Sequence, residues 1–280
     1  MKNKNQRHHI KLSWISGKFL VLIYAFIVTV PLCYVILTAF KSEQERIFNP
    51  MGWPIDFFWK NFVIAIEKMN FLRSGWNSIF LSLSTTLLCM LLIIIVCYSL
   101  HCIRDTKIGN FMYLWILLAM IIPGVGTATG LMLRRSLGLY NNFLGEIIAG
   151  GFNLSMGVFM VSGAFRSLPN ELFEAARIDG AKDTTICFRI ITPIVKPSLV
   201  SMFILIFRTH WNACLGPMLT LRDRKLYTLP MSIYLNFMNG NTYYYSEMFA
   251  AVLITAIPVI ILFIKCQDQF VDAMCGGVKG

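Results

Sequence analysis

Acidic side chains are scarce in this chain, which has 14 Asp and Glu against 25 Lys and Arg in 280 residues. No carboxylate lies deep inside an apolar run, and Glu146 and Glu247 stand only at the edges of such runs. Carriers coupled to protons or sodium normally need carboxylates or broken helices near the middle of the membrane. The sequence therefore disfavours an ion-coupled secondary transporter.

Motifs of metal and nucleotide chemistry are also missing from the sequence. The eight cysteines form no Cys-x-x-Cys pair and the four histidines are scattered, which argues against a disulfide framework, a zinc site and an intramembrane metalloprotease. No Gly-x-x-x-x-Gly-Lys-Ser/Thr loop occurs, so nucleotide binding is not expected either. We predict that the chain is not an enzyme and has no catalytic residue, metal or cofactor of its own.

Apolar residues are abundant instead. The chain is 56% hydrophobic and 14% charged, whereas soluble domains carry about 25% charged residues. The apolar residues form blocks of about 20, the length that crosses a bilayer. The first block begins at Phe19 and is too long for a signal peptide, so we expect an uncleaved helix. The net charge of +11 then indicates basic flanks of membrane spans rather than nucleic-acid binding.

These blocks predict an all-α, polytopic membrane protein with a short amino-terminal tail, residues 1–18, and one transmembrane domain, residues 19–280. Six spans are expected, at residues 19–40, 78–100, 108–133, 143–165, 198–219 and 248–264. Lys and Arg are enriched before the first span and in the even-numbered connections. By the positive-inside rule, this places both termini and the segment 167–193 in the cytoplasm. We therefore expect the spans to contact membrane lipid.

The longest stretch outside the predicted spans is the loop between the first and second, which contains Trp53, Trp59, Phe62 and Trp76. Aromatic residues of this kind anchor at the level of the lipid headgroups. Docking of an external partner is a second, compatible interpretation.

The segment 167–193, between the predicted fourth and fifth spans, is polar and strongly patterned. Pro169 favours the first turn of a helix, and Glu171 suits the positive end of the helix dipole. Gly180 occupies a position typical of a left-handed residue that ends a helix. A second helix is expected to begin near Asp183 and to stop before Pro193.

In the first helix of this segment, the small side chains of Ala175 and Ala176 leave a depression in the surface. The apolar residues Phe173 and Ile178 are expected on either side of it. Two interpretations are open: a connector that covers the membrane surface, or a contact that transmits force to a soluble subunit. Glu174 either meets a basic residue of such a partner or supports its own helix, and Asp179 is expected to fix the turn at Gly180.

The residues from Glu174 to Pro193 resemble the EAA motif of ABC-importer permeases, which reads Glu-Ala-Ala, three residues, Gly, nine residues, Ile, one residue, Leu-Pro. Thr192 stands where Leu is usual. Other stretches resemble the carbohydrate branch of that family, the six-span permease of the maltose type. They are Asn77-Ser78, Ile122-Pro123-Gly124, Leu137 to Asn142, Trp211-Asn212, Tyr227 to Pro230, Ala250-Ala251 and Gly276 to Gly280.

This resemblance implies an inner-membrane permease subunit of an ATP-driven sugar importer. The implied partners are a second permease, two ATPase subunits that bind the ATP, and an extracytoplasmic solute-binding protein that delivers the sugar. An importer of another solute, such as a polyamine, phosphonate or metal, is the alternative. The residues implied in ATPase coupling are Phe173, Glu174, Ala175, Ala176, Ile178, Asp179, Gly180 and Pro193.

A second group of candidate residues lies in the predicted fifth span. Arg208 is ionisable and deep in the span, and residues of that kind usually face a protein interior or a pathway. Trp211 and Asn212 beside it add the aromatic face and the hydrogen bonds that a sugar pathway needs. Packing of Arg208 against the partner permease is the competing interpretation. Ala213 and Cys214 depart from the family pattern, in which Glu and Phe are common.

Overall fold

The computed structural model describes residues 2–121, 128–238 and 244–275. Every regular element in these ranges is helical, as the sequence predicts. The α-helices are α1 Lys2–Ala39, α2 Glu43–Phe48, α3 Lys60–Lys68, α4 Phe71–Cys102, α5 Lys107–Ala119, α6 Ala128–Ser136, α7 Phe143–Gly151, α8 Ser155–Arg166, α9 Asn170–Ile178, α10 Asp183–Thr185, α11 Thr192–Ile194, α12 Lys196–Trp211, α13 Leu215–Thr220, α14 Leu229–Ile233 and α15 Tyr245–Cys275. Two π-helical stretches, Ile186–Ile191 and Tyr234–Met238, and a 3-10 turn, Arg224–Leu226, complete the list for these ranges.

Within the described residues, three helical segments are long and apolar enough to cross a membrane: Lys18–Ala39, Phe71–Cys102 and Tyr245–Gln267. They overlap the predicted first, second and sixth spans. The helices α4 and α15 extend beyond the predicted bounds at both ends, whereas α1 begins earlier than predicted and ends at Ala39. The tail 2–18 is continuous with α1 rather than separate from it.

The other three predicted spans are not single helices. The stretch predicted as 143–165 consists of α7 and α8, which meet at 44°. The stretch 198–219 is interrupted after Trp211, where α12 ends, and α13 follows from Leu215. The stretch 108–133 contains α5, of 13 residues, and α6. Residues 122–127 between them, with Ile122-Pro123-Gly124, lie outside the described residues, as do residues 276–280.

The residues cluster into two compact units, 1–68 with 236–254 and 69–235 with 255–280. In the first unit, the end of α1 is fixed to the loop that follows it. Asn61 Nδ2 donates hydrogen bonds to the carbonyls of Ala39 and Lys41 at 2.9 and 2.8 Å. Tyr34 of α1 packs edge-on against Phe249 of α15, with ring centroids 5.9 Å apart.

In the second unit, α4 is the central helix against which α7, α8 and α12 pack. Glycines allow the close approach of α7 and α8. A Cβ at Gly151 would lie 2.5 Å from Leu88 Cδ2, and a Cβ at Gly157 would lie 2.1 Å from Ile93 Cδ1. Small residues of this kind are typical of helix interfaces in membranes. The buried Thr85 and Thr86 bond to carbonyls of their own helix, so no polar atom of these side chains is left unpaired.

Candidate functional site: the helix–glycine–helix segment

The helix end at Gly180 has the geometry that the sequence predicts. Gly180 has φ +78°, Ala181 N–H donates to the Ala176 carbonyl at 3.0 Å, and Gly180 N–H donates to the Arg177 carbonyl at 3.0 Å. These two bonds form a Schellman motif, in which a left-handed residue closes the helix. Backbone groups therefore hold the turn. The exposed Asp179 side chain, expected to fix it, makes no hydrogen bond among the described residues.

The inner face of α9 packs onto the end of α4. The Phe173 ring stacks on the His101 ring, with centroids 4.1 Å apart and planes 20° apart. Phe173 is 4% exposed and Ala176 is 7% exposed, and both belong to the hydrophobic core that includes Tyr98, Ile186 and Cys187. The expectation that Phe173 and Ala176 form part of an outward surface is therefore corrected: the periodicity of α9 turns them toward the protein's own interior.

The outer face of α9 and the turn after it carry the remaining predicted residues other than Pro193. Glu174, Ala175, Asp179 and Gly180 are exposed. Ile178 is 85% exposed, which is a large apolar surface for a residue beside a polar turn. A small side chain at Ala175 with an apolar one at Ile178 leaves a surface that another protein can approach closely. The surface depression is therefore formed by Ala175 and its exposed neighbours, because Ala176 is buried.

A polar cluster ties the segment to α4. The Tyr98 hydroxyl donates a hydrogen bond to Asp183 Oδ1 at 2.7 Å. Arg177 Nη2 lies 3.6 Å from the same carboxylate oxygen and 3.6 Å from Cys102 Sγ. Hydrogen bonding with the Tyr98 hydroxyl is the largest cause that raises the pKa of Arg177 above its ordinary value. One carboxylate therefore joins both helices of the segment to the end of α4.

An open cleft of about 150 Å³ lies beside this cluster. Arg104, Asn170, Glu174 and Arg177 contribute to its polar lining, and Phe173 forms part of its wall. Charges of both signs lie around the cleft, so it suits a polar protein surface better than a single ion.

The second helix of the segment runs further than predicted. It begins at Asp183, as expected, but continues through Pro193 to Ile194 and meets α12 at 85°. The widened π-helical turn over Ile186–Ile191 changes the hydrogen-bond pattern just before the proline, which has no N–H to donate. Thr192 N–H and Thr192 Oγ1 both donate to the Cys187 carbonyl. Thr192 thus supports the π turn with a bond that Leu cannot make.

The second group of candidate residues is divided between two faces of α12. Trp211 is 3% exposed, stacks on Phe207 at 5.6 Å, and donates from Nε1 to the Thr255 carbonyl at 3.2 Å. Arg208 and Asn212 are exposed, and Asn212 Nδ2 donates to the Arg208 carbonyl at 3.0 Å at the end of the helix. The structure brings Arg208 and Asn212 together and assigns Trp211 to packing.

Sequence reasoning missed Tyr98 and His101 as members of the site. The hydrogen bond from Tyr98 to Asp183 joins residues 85 positions apart, and nothing local to α4 marks either residue as polar anchor or stacking partner. Asp183 did carry a signal, because an acidic residue in the first turn suits the helix dipole.

Residues 79–273 match the model of the family described as "Binding-protein-dependent transport system inner membrane component". The chain belongs to this family. Its members are permease subunits of transporters rather than enzymes, which confirms the predictions of a multi-pass plasma-membrane protein without catalysis of its own. The family also implies a partner ATPase and a solute-binding protein.

Individual relatives are similar over nearly the whole chain. The "Arabinooligosaccharides transport system permease protein AraQ" of Halalkalibacterium halodurans is 32% identical, over 96% of this chain and 97% of that protein. The "Diacetylchitobiose uptake system permease protein NgcG" of Streptomyces coelicolor is 28% identical, over 92% of this chain and 86% of that protein.

Among solved structures, a chain of a bacterial ABC transporter involved in the import of the acidic polysaccharide alginate superposes with a TM-score of 0.81. It is 22% identical, over 96% of this chain and 99% of that chain. This likeness confirms the all-α permease fold.

Proposed function

We propose that the chain forms half of the translocation pathway of an ATP-driven sugar importer and that residues 167–193 couple it to a cytoplasmic ATPase. The observation that carries the coupling role is the division of α9. Phe173 and Ala176 fix one face to α4, while Ala175 and Ile178 leave the other face open. A helix held rigidly on one side and exposed on the other transmits a push from a partner to the helix that holds it.

Sugar is the proposed cargo because the similar permeases are named for oligosaccharide transport. In this proposal the second half of the pathway is another permease subunit, so that the membrane part is a heterodimer. Both termini and the coupling segment lie in the cytoplasm, where the ATPase is. Arg208 and Asn212 line the pathway, since they are the exposed polar members of the group on α12.

Uptake into vesicles tests this proposal. The permease is reconstituted with its partner permease, its ATPase and its solute-binding protein, and labelled oligosaccharides are compared with a polyamine, a phosphonate and a metal ion. ATP-dependent accumulation of an oligosaccharide is expected, with no accumulation when a non-hydrolysable ATP analogue is supplied. Accumulation of a non-sugar solute alone would instead favour another importer of the same family, and uptake driven by an ion gradient without ATP would refute the coupling role.

A further inference from the structure

The carboxylate of Glu146 joins three helices of the second unit. Arg134 Nη1 of α6 donates a hydrogen bond to Glu146 Oε1 at 2.8 Å, and the Thr220 hydroxyl of α13 donates to the same oxygen of this α7 residue. The side chains of Arg134 and Glu146 are 14% and 11% exposed, and Thr220 is buried. We refer to Arg134, Glu146 and Thr220 as the Glu146 cluster.

The turn between α6 and α7 connects to α13 a second time. Asn141 in this turn has φ +55°, a left-handed conformation that asparagine adopts more readily than most residues. Its N–H donates to the Thr220 carbonyl at 3.0 Å, and its Oδ1 accepts from the N–H groups of Arg222 and Asp223 at 2.8 and 3.0 Å. Polar contacts therefore hold the end of α13 against α6, α7 and the turn between them.

The helix that precedes α13 is held in a different way. Leu199, Met202 and Ile206 of α12 belong to the hydrophobic core that includes Phe173, and among the described residues no member of α13 does. Segments with few buried apolar contacts open at a lower cost in free energy than core helices do. Of the two helices, α13 is therefore the more easily displaced.

The contacts of α4 show at which end of the unit the Glu146 cluster lies. Asn77 Nδ2, near the start of α4, donates to the carbonyls of Lys225 and Tyr227 at 2.8 and 3.0 Å, just after α13. The coupling segment is attached near the other end of α4, at Tyr98. About 30 Å of helix separate Asn77 from Tyr98, which is roughly the thickness of the hydrocarbon core of a bilayer. The cluster is therefore on the side of the membrane opposite the coupling segment.

The Glu146 cluster also adjoins the proposed pathway residues. Arg208 and Asn212 lie at the end of α12, and α13 begins at Leu215. We propose that the cluster is a releasable contact, which holds α13 across the pathway beyond Asn212 and separates before solute enters from the extracytoplasmic side. This inference rests on the proposed function, because it takes Arg208 and Asn212 as pathway residues. The solute-binding protein opens the pathway by binding the open state more tightly than the closed one, and the cluster sets how much tighter that binding must be.

ATP hydrolysis without the solute-binding protein tests the proposal. The transporter is reconstituted with its second permease and its ATPase, and the permease carries Glu146→Gln or Arg134→Gln. Since the proposed transporter hydrolyses ATP in step with opening of the pathway, each variant should hydrolyse ATP several-fold faster than the wild type when the binding protein is absent. With saturating binding protein, the rates of the variants and the wild type should be similar.

Glu247→Gln is the matched control. Glu247 also lies in the first turn of a helix, forms an ion pair, with Lys68, and has a side chain that is 13% exposed. It belongs to the other unit of the fold. This variant should hydrolyse ATP at the wild-type rate without the binding protein.

Two further variants make the result specific to the cluster. Arg134→Gln combined with Glu146→Gln should raise the rate no further than either single change, because both changes break the same contact. Thr220→Val retains the ion pair and removes one hydroxyl, so it guards against misfolding and should give a smaller rise.

Unchanged or lower rates in all the cluster variants would overturn the inference and make the cluster a permanent structural contact. Additive rises in the double variant would overturn it as well. Import of labelled oligosaccharide by the wild type is measured in the same vesicles, so that a failure of the proposed function is seen separately.

Discussion

At the scale of single residues, Gly180 shows how the backbone conformation of one residue ends a helix. Its φ of +78° is open to glycine and strained for other residues, although a Cβ there would meet nothing within 4 Å. A substitution at Gly180 therefore introduces backbone strain without a steric clash. Gly163 of α8 also has open space around its Cβ direction but has no positive φ.

Gly180→Ala is expected to weaken coupling, because alanine in a left-handed conformation costs about 1–2 kcal/mol and the Schellman turn would shift. The measurement is the amount of sugar transported per ATP hydrolysed in reconstituted vesicles, which should fall. Gly163→Ala is the matched control and should leave that ratio unchanged. Equal ratios for the two variants would mean that the turn at Gly180 is not part of the coupling path.

Some features of single residues could be predicted from the sequence, and others could not. The helix end at Gly180 depends on neighbours in the chain, so it was predictable and is confirmed. The orientation of Phe173 depends on the His101 ring, which lies far away in sequence. Trp211 was expected in a pathway, but its partners Phe207 and Thr255 bury it. Burial of an aromatic residue is decided by the packing of several helices, and local pattern does not contain that information.

At the scale of elements, the proposed coupling segment forms two short helices that are attached to the end of α4 at two points. Asp183 accepts the hydrogen bond of Tyr98 and lies 3.6 Å from Arg177. The segment is therefore attached through polar contacts at one point and through the Phe173–His101 stack at another. We expect two separate attachments to restrict rotation of α9 on α4.

Tyr98→Phe should loosen this attachment while it retains the aromatic ring in the core. The Asp183 side chain is 70% exposed, so loss of this hydrogen bond costs only about 0.5–1.5 kcal/mol and the complex should still assemble. We expect ATP hydrolysis to continue with less sugar imported per ATP. Tyr24→Phe removes a hydroxyl from an exposed tyrosine of α1 and is the control. Unchanged coupling in Tyr98→Phe would show that the Phe173–His101 stack alone suffices.

Helix boundaries were less predictable than helix identity. Hydropathy located all three long apolar helices, since a continuous apolar run of that length has one stable conformation in lipid. It did not locate the bend of 44° between α7 and α8 or the end of α12 at Trp211. Breaks such as these leave the average hydropathy of a stretch almost unchanged. The π turn before Pro193 was also missed, although the bond from Thr192 Oγ1 to the Cys187 carbonyl that supports it is local.

At the scale of the whole molecule, family membership, fold and the divided face of α9 agree on one role. In the proposed role, the chain links a soluble ATPase to helices that cross the membrane. We propose that binding and hydrolysis of ATP by the partner ATPase change the position of a surface that α9 contacts. The core around Phe173 and Ile186 carries that displacement to α4 and α12, which belong to the same unit of the fold.

The most direct test of this account is the identity of the protein that lies against Ile178. A photo-crosslinking residue at position 178 in the assembled transporter should form an adduct with the ATPase subunit, and that result would also place the segment in the cytoplasm. The exposed Phe188, replaced in the same way, reports whether the contact extends to the second helix. An intact, ATP-hydrolysing complex with no ATPase adduct at position 178 would contradict the account.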